Sequence, residues 1–349
     1  MFDKLVGNHR VKAVLRRMLA QNRVPGALIF AGDDGVGKRQ FALEFARAVL
    51  CLSPQNGEAC DGCGSCNRIG DFPAFPPQED KYKDEYKKVF WSKHADVGTV
   101  VAYKNNILVD AIRNLELEAN YSPYEGKARF FIVDPADKLN NSSDAAGNAL
   151  LKTLEEPPAT SHLILLTSRP NSLLQTIRSR CQIIRFAPLT PDEIEFYLSE
   201  SGKVSPNDVK LLARIARGSL GRALALNLEH YKGQREMMLN VLDALASSRD
   251  RARLLKIAEE LNEAKLKDEY ECRLEVLQTL IHDVWTLRLG GSDLINEDLQ
   301  TKLTKFAETT DSRRAQLWLA EIEILREQFM VNVNRKIATD ALFMRMANA

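Results

Sequence analysis

Hydrophobic positions divide the chain into a β-rich half and a helical half. Up to about residue 186, short apolar runs alternate with stretches that have the 3.6-residue period of a helix. Continuous apolar runs between helices are typical of parallel strands covered on both faces. The sequence therefore predicts an α/β domain with a parallel sheet, whose fully buried strands are 28–31, 130–133, 163–166 and 183–186.

Beyond residue 186 the pattern becomes entirely helical. Thr190 is followed by a proline and then by Glu193, which forms a helix-capping sequence with proline at the first helical position. From about residue 233 proline is absent and long amphipathic stretches dominate. We expect three domains: a P-loop domain over 1–187, a small helical lid domain over 188–232 and an all-α domain over 233–349.

One segment within the first domain departs from this pattern. Residues 71–93 contain three prolines, followed by closely mixed acidic and basic side chains. Proline and mixed charge are typical of surface loops rather than of buried elements. We expect an exposed insertion that is helical in part at most.

Charge and hydropathy argue against a protein that binds nucleic acid alone, and against a membrane-spanning or secreted protein. The 349 residues include 48 basic and 47 acidic side chains, which gives a net charge of +1. A chain that binds nucleic acid alone through many phosphates is usually more basic. No apolar run approaches the roughly 18 residues that cross a membrane, and the charged first residues do not resemble a secretory signal. We expect a cytoplasmic protein without membrane contact.

A glycine-rich sequence follows the first predicted strand. The sequence GDDGVGKR, which begins at Gly32, nearly matches the phosphate-binding motif GxxxxGK[ST] and precedes an amphipathic helix. Gly35 and Gly37 let backbone N–H groups curve around phosphate, and Lys38 can reach the terminal phosphates. The last position is Arg39, a cation without an acceptor, which cannot replace the hydroxyl that binds Mg²⁺.

The second half of an ATPase site would be a strand that ends in Asp-Glu. Here the strand ends in Asp134, followed by Pro135. Asp134 could hold Mg²⁺ through water, but proline cannot polarise a water molecule for attack on the γ-phosphate. Two interpretations stay open: nucleotide binding without turnover, or a loop that binds nothing. ATP and Mg²⁺ therefore stay open as cofactors.

Four of the six cysteines lie close together. Cys51, Cys60, Cys63 and Cys66 have the spacing C-x8-C-x2-C-x2-C. Four thiolates suit tetrahedral Zn²⁺, and a site without an open position is structural rather than catalytic. Redox-active or simply buried thiols are the non-metal alternative, and an iron–sulfur cluster is the other metal alternative.

A P-loop strand and helix that lead directly into this cysteine spacing resemble the bacterial clamp-loader AAA+ family, which comprises gamma/tau and delta-prime subunits. The resemblance covers nearly the whole chain, through segments 2–8, 132–139 and 148–158 and the Ser-Arg-Cys sequence around Arg180. Arg39, Pro135 and Gly221 stand where the motor subunits have threonine, glutamate and arginine. These three departures favour the delta-prime branch.

The resemblance implies a clamp-loader subunit of the DNA polymerase III holoenzyme without independent ATPase activity. It implies a five-membered ring with gamma/tau motor subunits and a delta subunit, held by C-terminal collar domains, that loads the sliding clamp onto primed DNA. It places Arg180 at a neighbour's γ-phosphate and Thr167 at the position of a phosphate sensor, for which a strand-end cap is the alternative. The alternative functions are an active gamma/tau-type ATPase and a stand-alone P-loop NTPase or kinase.

Overall fold

In a computed structural model of the protein, the described residues are 2–140, 143–202, 204–248, 250–261, 270–328 and 334–349. They divide into two compact units. The first unit comprises Met1–Ser201 and Ala216–Leu224, and the second comprises Gly202–Ile215 and Ala225–Ala349. This division follows compactness alone, so the three-domain organisation with a separate lid over 188–232 stays a prediction.

The described part of the first unit contains six strands. They are β1 (Ala27–Ala31), β2 (Phe90–Trp91), β3 (Val97–Val101), β4 (Arg129–Asp134), β5 (Ser161–Thr167) and β6 (Gln182–Arg185). They form one sheet in the order β2-β3-β4-β5-β1-β6. All neighbours are parallel except β2, which pairs antiparallel with β3. The predicted α/β domain with a parallel sheet is confirmed, and β2 adds an antiparallel strand at one edge.

The helices of the first unit are α1 (His9–Ala20), α2 (Lys38–Leu50), α3 (Gly64–Arg68), α4 (Val109–Ala119), α5 (Ala145–Glu155), α6 (Gln175–Arg178), α7 (Pro191–Ser201) and α9 (Leu220–Ala225). Alternate strand residues point to opposite faces of the sheet. Leu28 and Phe30 of β1 join one core with α1 and α2, whereas Ile29 joins the other core with α4 and α5. Continuous apolar strands therefore reflect a sheet that is covered on both faces.

One expectation about exposure was wrong. Segment 183–186 was expected to be fully buried, but β6 is an edge strand on which Gln182 and Arg185 are exposed. The 71–93 insertion is exposed along most of its length, as expected, although Tyr86 and Val89 are buried. A 3₁₀ helix (Asp80–Lys87) and strand β2 pack part of this segment against the sheet, because its aromatic side chains supply apolar surface.

The helix-capping sequence before α7 forms as predicted. The backbone N–H of Thr190 donates to the Glu193 carboxylate over 2.9 Å, and the N–H of Glu193 donates to the Thr190 hydroxyl over 3.2 Å. These two bonds satisfy N–H groups that the first helical turn leaves without partners.

The second unit is helical throughout its described residues. Its helices are α8 (Pro206–Ile215), α10 (Leu228–Asp243), α11 (Arg251–Leu261), α12 (Tyr270–Arg288), α13 (Gln300–Thr309), α14 (Ser312–Gln328) and α15 (Arg335–Asn348). Helix α12 packs against α10, α13 and α14, and α15 packs against α11 and α14. Trp318 of α14 is fully buried and donates its indole N–H to the Met346 carbonyl over 2.7 Å. Among the described residues, no helix has both the length and the apolar character that a membrane crossing requires.

Candidate functional site

The phosphate loop connects β1 to α2 and depends on its glycines. Gly35 and Gly37 have φ angles of 76° and 98°, in the region that favours glycine. A Cβ atom at Gly32 would lie 2.7 Å from the Phe186 carbonyl oxygen. The sequence motif therefore adopts a compact loop at the start of α2, as its spacing predicted.

A cavity of about 500 Å³ opens beside this loop. Its polar and charged lining includes Lys4, Asp34, Lys38, Arg39 and Asp134. Much of the remaining wall is apolar, with Leu5, Val6, Val36, Leu166, Leu189, Leu220 and Leu224, together with Tyr197. An apolar cavity next to a glycine loop and a helix N-terminus has the composition of a site for a base and its phosphates.

Helix α9 packs directly onto the phosphate loop. The backbone N–H of Gly221 donates to the Gly35 carbonyl over 2.9 Å. A Cβ atom at Gly221 would lie 2.9 Å from the Gly35 Cα atom, closer than side chains normally approach. Glycine at position 221 therefore permits the close approach, and an arginine at this position would require the loop to move.

Lys38 turns back onto its own loop. Its ammonium group donates to the carbonyl oxygens of Gly32 and Asp33 over 2.6 and 2.8 Å, and lies 3.6 Å from the Asp34 carboxylate. The side chain is 8% exposed. The cation that the motif assigns to phosphate therefore has partners within the loop.

Arg39 pairs with Asp134, the carboxylate that could hold Mg²⁺ through water. Its Nη1 atom lies 3.0 Å from Asp134 Oδ2 and 3.4 Å from the Thr99 hydroxyl. The ring of Phe72 lies 5.2 Å from the guanidinium carbon, within the range of a cation–π contact. In this arrangement the guanidinium faces Asp134.

The ion pair between Arg39 and Asp134 opposes the binding of Mg²⁺ at Asp134. Mg²⁺ requires oxygen ligands in near-octahedral geometry, and a guanidinium offers only donors. Arg39 would have to leave Asp134 before a divalent cation could bind there, because two cations cannot share one carboxylate closely without repulsion. The site has no glutamate after Asp134 to activate water, because Pro135 follows directly.

Thr167 ends β5 and is fully buried. Its hydroxyl donates to the Asp137 carboxylate over 3.1 Å and accepts the backbone N–H of Arg169 over 3.0 Å. Both contacts belong to the end of the strand, in line with the capping alternative. A role for Thr167 as a phosphate sensor stays a prediction.

Arg180 lies between α6 and β6 and is not one of the described residues that line the cavity. Its guanidinium donates to Glu155 over 2.7 Å and to the Thr176 carbonyl over 3.0 Å. The side chain is 35% exposed, and its partner Glu155 is 51% exposed. Two of the five N–H donors of the guanidinium are thus used within the described residues, so the group can offer others to an external anion.

The four predicted metal ligands lie together. The sulfur atoms of Cys51, Cys60, Cys63 and Cys66 are all within 4.8 Å of one another. The backbone N–H of Cys60 points at the Cys51 sulfur over 3.3 Å, and that of Cys66 at the Cys63 sulfur over 3.5 Å. N–H groups directed at sulfur stabilise thiolates, and this donor set suits a tetrahedral metal site. A four-cysteine cluster capable of holding a metal is therefore present.

The four thiols differ in how readily they ionise. Hydrogen bonds from backbone N–H groups lower the pKa of Cys60. Burial acts to raise the pKa of Cys63, but hydrogen bonds, first that of the Cys66 backbone N–H, outweigh it and lower the pKa to about 6. Burial raises the pKa of Cys51 and Cys66. Two of the four sulfurs are thus favoured as thiolates, the form that binds metals.

Several residues that define these sites carry no signal in the sequence pattern. Phe72 and Thr99 contact Arg39, and Glu155 contacts Arg180. One feature of the sequence could have indicated the Arg39–Asp134 ion pair. Arginine replaces the metal-binding hydroxyl at position 39 while Asp134 is retained, and two opposite charges at one site favour pairing with each other.

Comparison with known proteins identifies a family. The family model described as "DNA polymerase III, delta subunit" matches residues 7–190, and that described as "DNA polymerase III, delta subunit, C terminal" matches residues 231–346. DNA polymerase III subunit delta' of Escherichia coli is 29% identical over 347 residues, which cover 99% of this chain and 92% of that protein.

Two further relatives come from Bacillus subtilis. Its DNA polymerase III subunit delta' is 28% identical over 328 residues, which cover 93% of this chain and 92% of that protein. Its subunit tau is 30% identical over 284 residues, 79% of this chain but 46% of the relative. The chain therefore belongs to the DNA polymerase III delta subunit family, and it matches delta-prime subunits over nearly their whole length.

Proposed function

We propose that this chain is a non-hydrolysing member of a clamp-loader ring that supplies Arg180 to ATP bound by a neighbouring gamma/tau-type subunit. Membership of the delta-prime family makes it a clamp-loader subunit that acts in DNA replication. Within the proposal, the ring also contains a delta subunit and loads the sliding clamp onto primed DNA. In the proposal the chain contacts DNA as part of the assembled complex, because its net charge of +1 is low for a protein that binds DNA alone.

The ion pair between Arg39 and Asp134 is the observation that supports the absence of turnover. The two residues hold the positions at which a working site would place a hydroxyl and a carboxylate on Mg²⁺, and they bind each other instead. With Pro135 in place of a water-activating carboxylate, neither metal nor nucleophile is provided for. Hydrolysis at this loop would therefore lack both parts of its chemistry.

The surroundings of Arg180 support a role at another subunit. A guanidinium supplied in trans stabilises the negative charge that develops on the γ-phosphate oxygens. Arg180 is partly exposed and is held by Glu155, which is itself exposed. An exposed ion pair contributes only about 0–1 kcal/mol, so Glu155 can orient Arg180 while the remaining N–H donors of the guanidinium bind a triphosphate.

Reconstitution with gamma/tau motor subunits, a delta subunit, the clamp and primed DNA tests this proposal. An arginine in trans is worth roughly 10³–10⁵ in rate. In this proposal the ATP sites of the ring act in one coupled cycle, so a site that loses its arginine limits the whole ring. We expect Arg180→Ala to lower the stimulated ATPase rate by about tenfold or more. Arg169→Ala, which removes an exposed charge from the same surface segment, is the control and should leave the rate unchanged.

Ring assembly is measured in parallel by size-exclusion chromatography. If Arg180→Ala prevents assembly, Arg180→Lys keeps the charge but loses the planar pair of donors, and it should assemble and still slow hydrolysis. A full ring with an unchanged ATPase rate for both variants would overturn the trans-arginine proposal.

We further propose that the four-cysteine cluster holds one structural Zn²⁺. The four sulfurs provide a complete tetrahedral set, with no position left for a substrate or water. Metal analysis of purified protein should find about one zinc per chain. A protein free of metal, or one that contains iron and inorganic sulfide, would contradict this assignment.

An active gamma/tau-type ATPase is the second candidate. The glycine loop and the adjoining cavity of about 500 Å³ favour retained nucleotide binding. This candidate predicts that the isolated chain hydrolyses ATP with Mg²⁺ and that Lys38→Ala abolishes the activity. The absence of such activity in the isolated chain would reject it.

A further inference from the structure

The cysteine module (residues 51–66) contacts the first segment of the chain (residues 2–6). We infer that a metal ion in this module holds the first segment in place as one wall of the phosphate-loop cavity. Metal occupancy would then set the order of that wall and how well the cavity retains a ligand. The inference rests on the proposed metal, but the contact between the two segments can be tested separately.

Two acidic side chains of the module lie between metal ligands in the sequence. Glu58 ends a two-residue hairpin, in which Asn56 and Gly57 have φ angles of 51° and 77° and residues 55 and 58 exchange backbone hydrogen bonds. Asp61 lies between Cys60 and Cys63 and has a φ angle of 59°. Their backbone positions are thus set by the tight turns that bring the sulfur atoms together.

Both carboxylates bind the first segment. Glu58 accepts the backbone N–H of Phe2 over 3.0 Å and also accepts the Arg16 guanidinium. Asp61 accepts the Lys4 ammonium over 2.6 Å. Glu58 is 9% exposed and Phe2 is fully buried, so the first of these contacts is shielded from water.

The first segment continues from these contacts into the cavity wall. Lys4, Leu5 and Val6 line the cavity beside the phosphate loop. The Phe2 ring stacks on Phe41 of α2, with centroids 6.4 Å apart. Lys12 of α1 holds the Leu5 carbonyl over 2.6 Å. The module, α1 and α2 therefore fix the segment together, and the module supplies the two carboxylates.

The module has little to hold its shape other than a metal. Its buried apolar residues are Cys51, Ala59 and Cys66. So small a core cannot order a loop against its conformational entropy, and four-cysteine modules of this size generally need metal to fold. Metal loss should therefore release Glu58 and Asp61 and loosen the first segment, while the hydrophobic cores on the two faces of the sheet keep the remainder of the unit folded.

Hydrogen exchange of the full-length protein tests this inference. We compare the exchange of residues 2–6 in protein as purified and after zinc removal by a chelator, with metal content measured in both samples. Exchange of these amides should rise by about tenfold after metal loss, while amides of β4 and β5 stay protected. Unchanged exchange in metal-free protein would overturn the inference.

A second comparison leaves all four cysteines intact. The double variant Glu58→Met, Asp61→Asn removes both contacts to the first segment while keeping side-chain size at position 58 and an Asx residue at the positive φ. It should retain its zinc yet show the same faster exchange at residues 2–6. Arg68→Met is the matched control, because it breaks the pair with Glu125 (2.6 Å) at the end of α3, the helix that begins in the module, and leaves the first segment untouched.

The two experiments separate the possible failures. Protein purified without metal would refute the proposed zinc and, with it, metal control of the cavity wall. Zinc-bound double variant with wild-type exchange at residues 2–6 would refute the contact itself. Faster exchange in the Arg68→Met control would also overturn the inference, since it would show a general loosening of the module rather than loss of the Glu58 and Asp61 contacts.

Discussion

Two arginines in this chain each pair with one carboxylate, but their surroundings differ. Arg39 is 28% exposed, lies under the Phe72 ring and pairs with Asp134 inside the phosphate-loop cavity. Arg180 is 35% exposed and pairs with Glu155, which is 51% exposed at the end of α5. Arg39 and Asp134 therefore neutralise each other inside the cavity, whereas Arg180 and Glu155 lie at the surface, where the guanidinium can also bind an external anion. The location of the carboxylate partner makes this difference.

A metal-binding hydroxyl at position 39 should remove the obstacle to Mg²⁺ binding at Asp134. Arg39→Thr frees Asp134 and supplies an oxygen ligand, so Mg²⁺ can bind with the phosphates. We expect Mg²⁺ to strengthen ATP binding by about tenfold in this variant and to leave the wild-type affinity unchanged. Calorimetric titration with and without EDTA measures both affinities.

Arg39→Met is the matched control for the hydroxyl. It also frees Asp134 but provides no oxygen, so its gain with Mg²⁺ should be smaller than that of Arg39→Thr. Neither variant should hydrolyse ATP, because Pro135 is still in place of a water-activating group. Mg²⁺-dependent ATP binding by the wild-type chain would contradict the account of the Arg39–Asp134 pair.

Loss of Glu155, the partner of Arg180, should have a smaller effect, which is measured on the ATPase rate of the ring. Glu155→Gln leaves the guanidinium with the Thr176 carbonyl as its remaining contact in the described structure. Because an exposed pair is worth about 0–1 kcal/mol, we expect the stimulated ATPase rate of the ring to fall by about threefold through poorer orientation. The loss should appear in kcat, with KM for ATP unchanged.

Glu156→Gln is the control for this prediction, since it removes the same charge one residue away. It should behave as wild type, and Glu155→Asp should recover part of the lost rate. An equal loss in Glu156→Gln, or a faster ring with Glu155→Gln, would show that Glu155 does not position Arg180.

The sequence predicted most of the sheet because its central strands are continuous apolar runs. It did not predict β3, whose run from Val97 includes a glycine. The structure explains that glycine, since a Cβ atom at Gly98 would lie 2.4 Å from Val89 and 3.1 Å from the Trp91 ring. Gly98 is required by side chains of a neighbouring segment, so the hydrophobic pattern of β3 itself does not reveal the strand.

The candidate sites divide in the same way. The cysteine cluster and the phosphate loop are local in sequence, so spacing alone located them. The Arg39–Asp134 contact joins residues 95 positions apart, and Phe72 reaches Arg39 from a segment that resembles a surface loop. The Gly221 contact with Gly35 depends on the packing of α9, which the residue pattern does not specify.

In the proposed ring, this chain's own phosphate loop does not hydrolyse ATP, and its Arg180 acts on ATP bound by another subunit. The most direct test compares Arg180→Ala and Lys38→Ala in otherwise wild-type rings with clamp and primed DNA. We expect Arg180→Ala to lower the stimulated ATPase rate by about tenfold or more, whereas Lys38→Ala should stay within about twofold of wild type. A loss with Lys38→Ala as large as that with Arg180→Ala, or no loss with Arg180→Ala, would contradict the proposal.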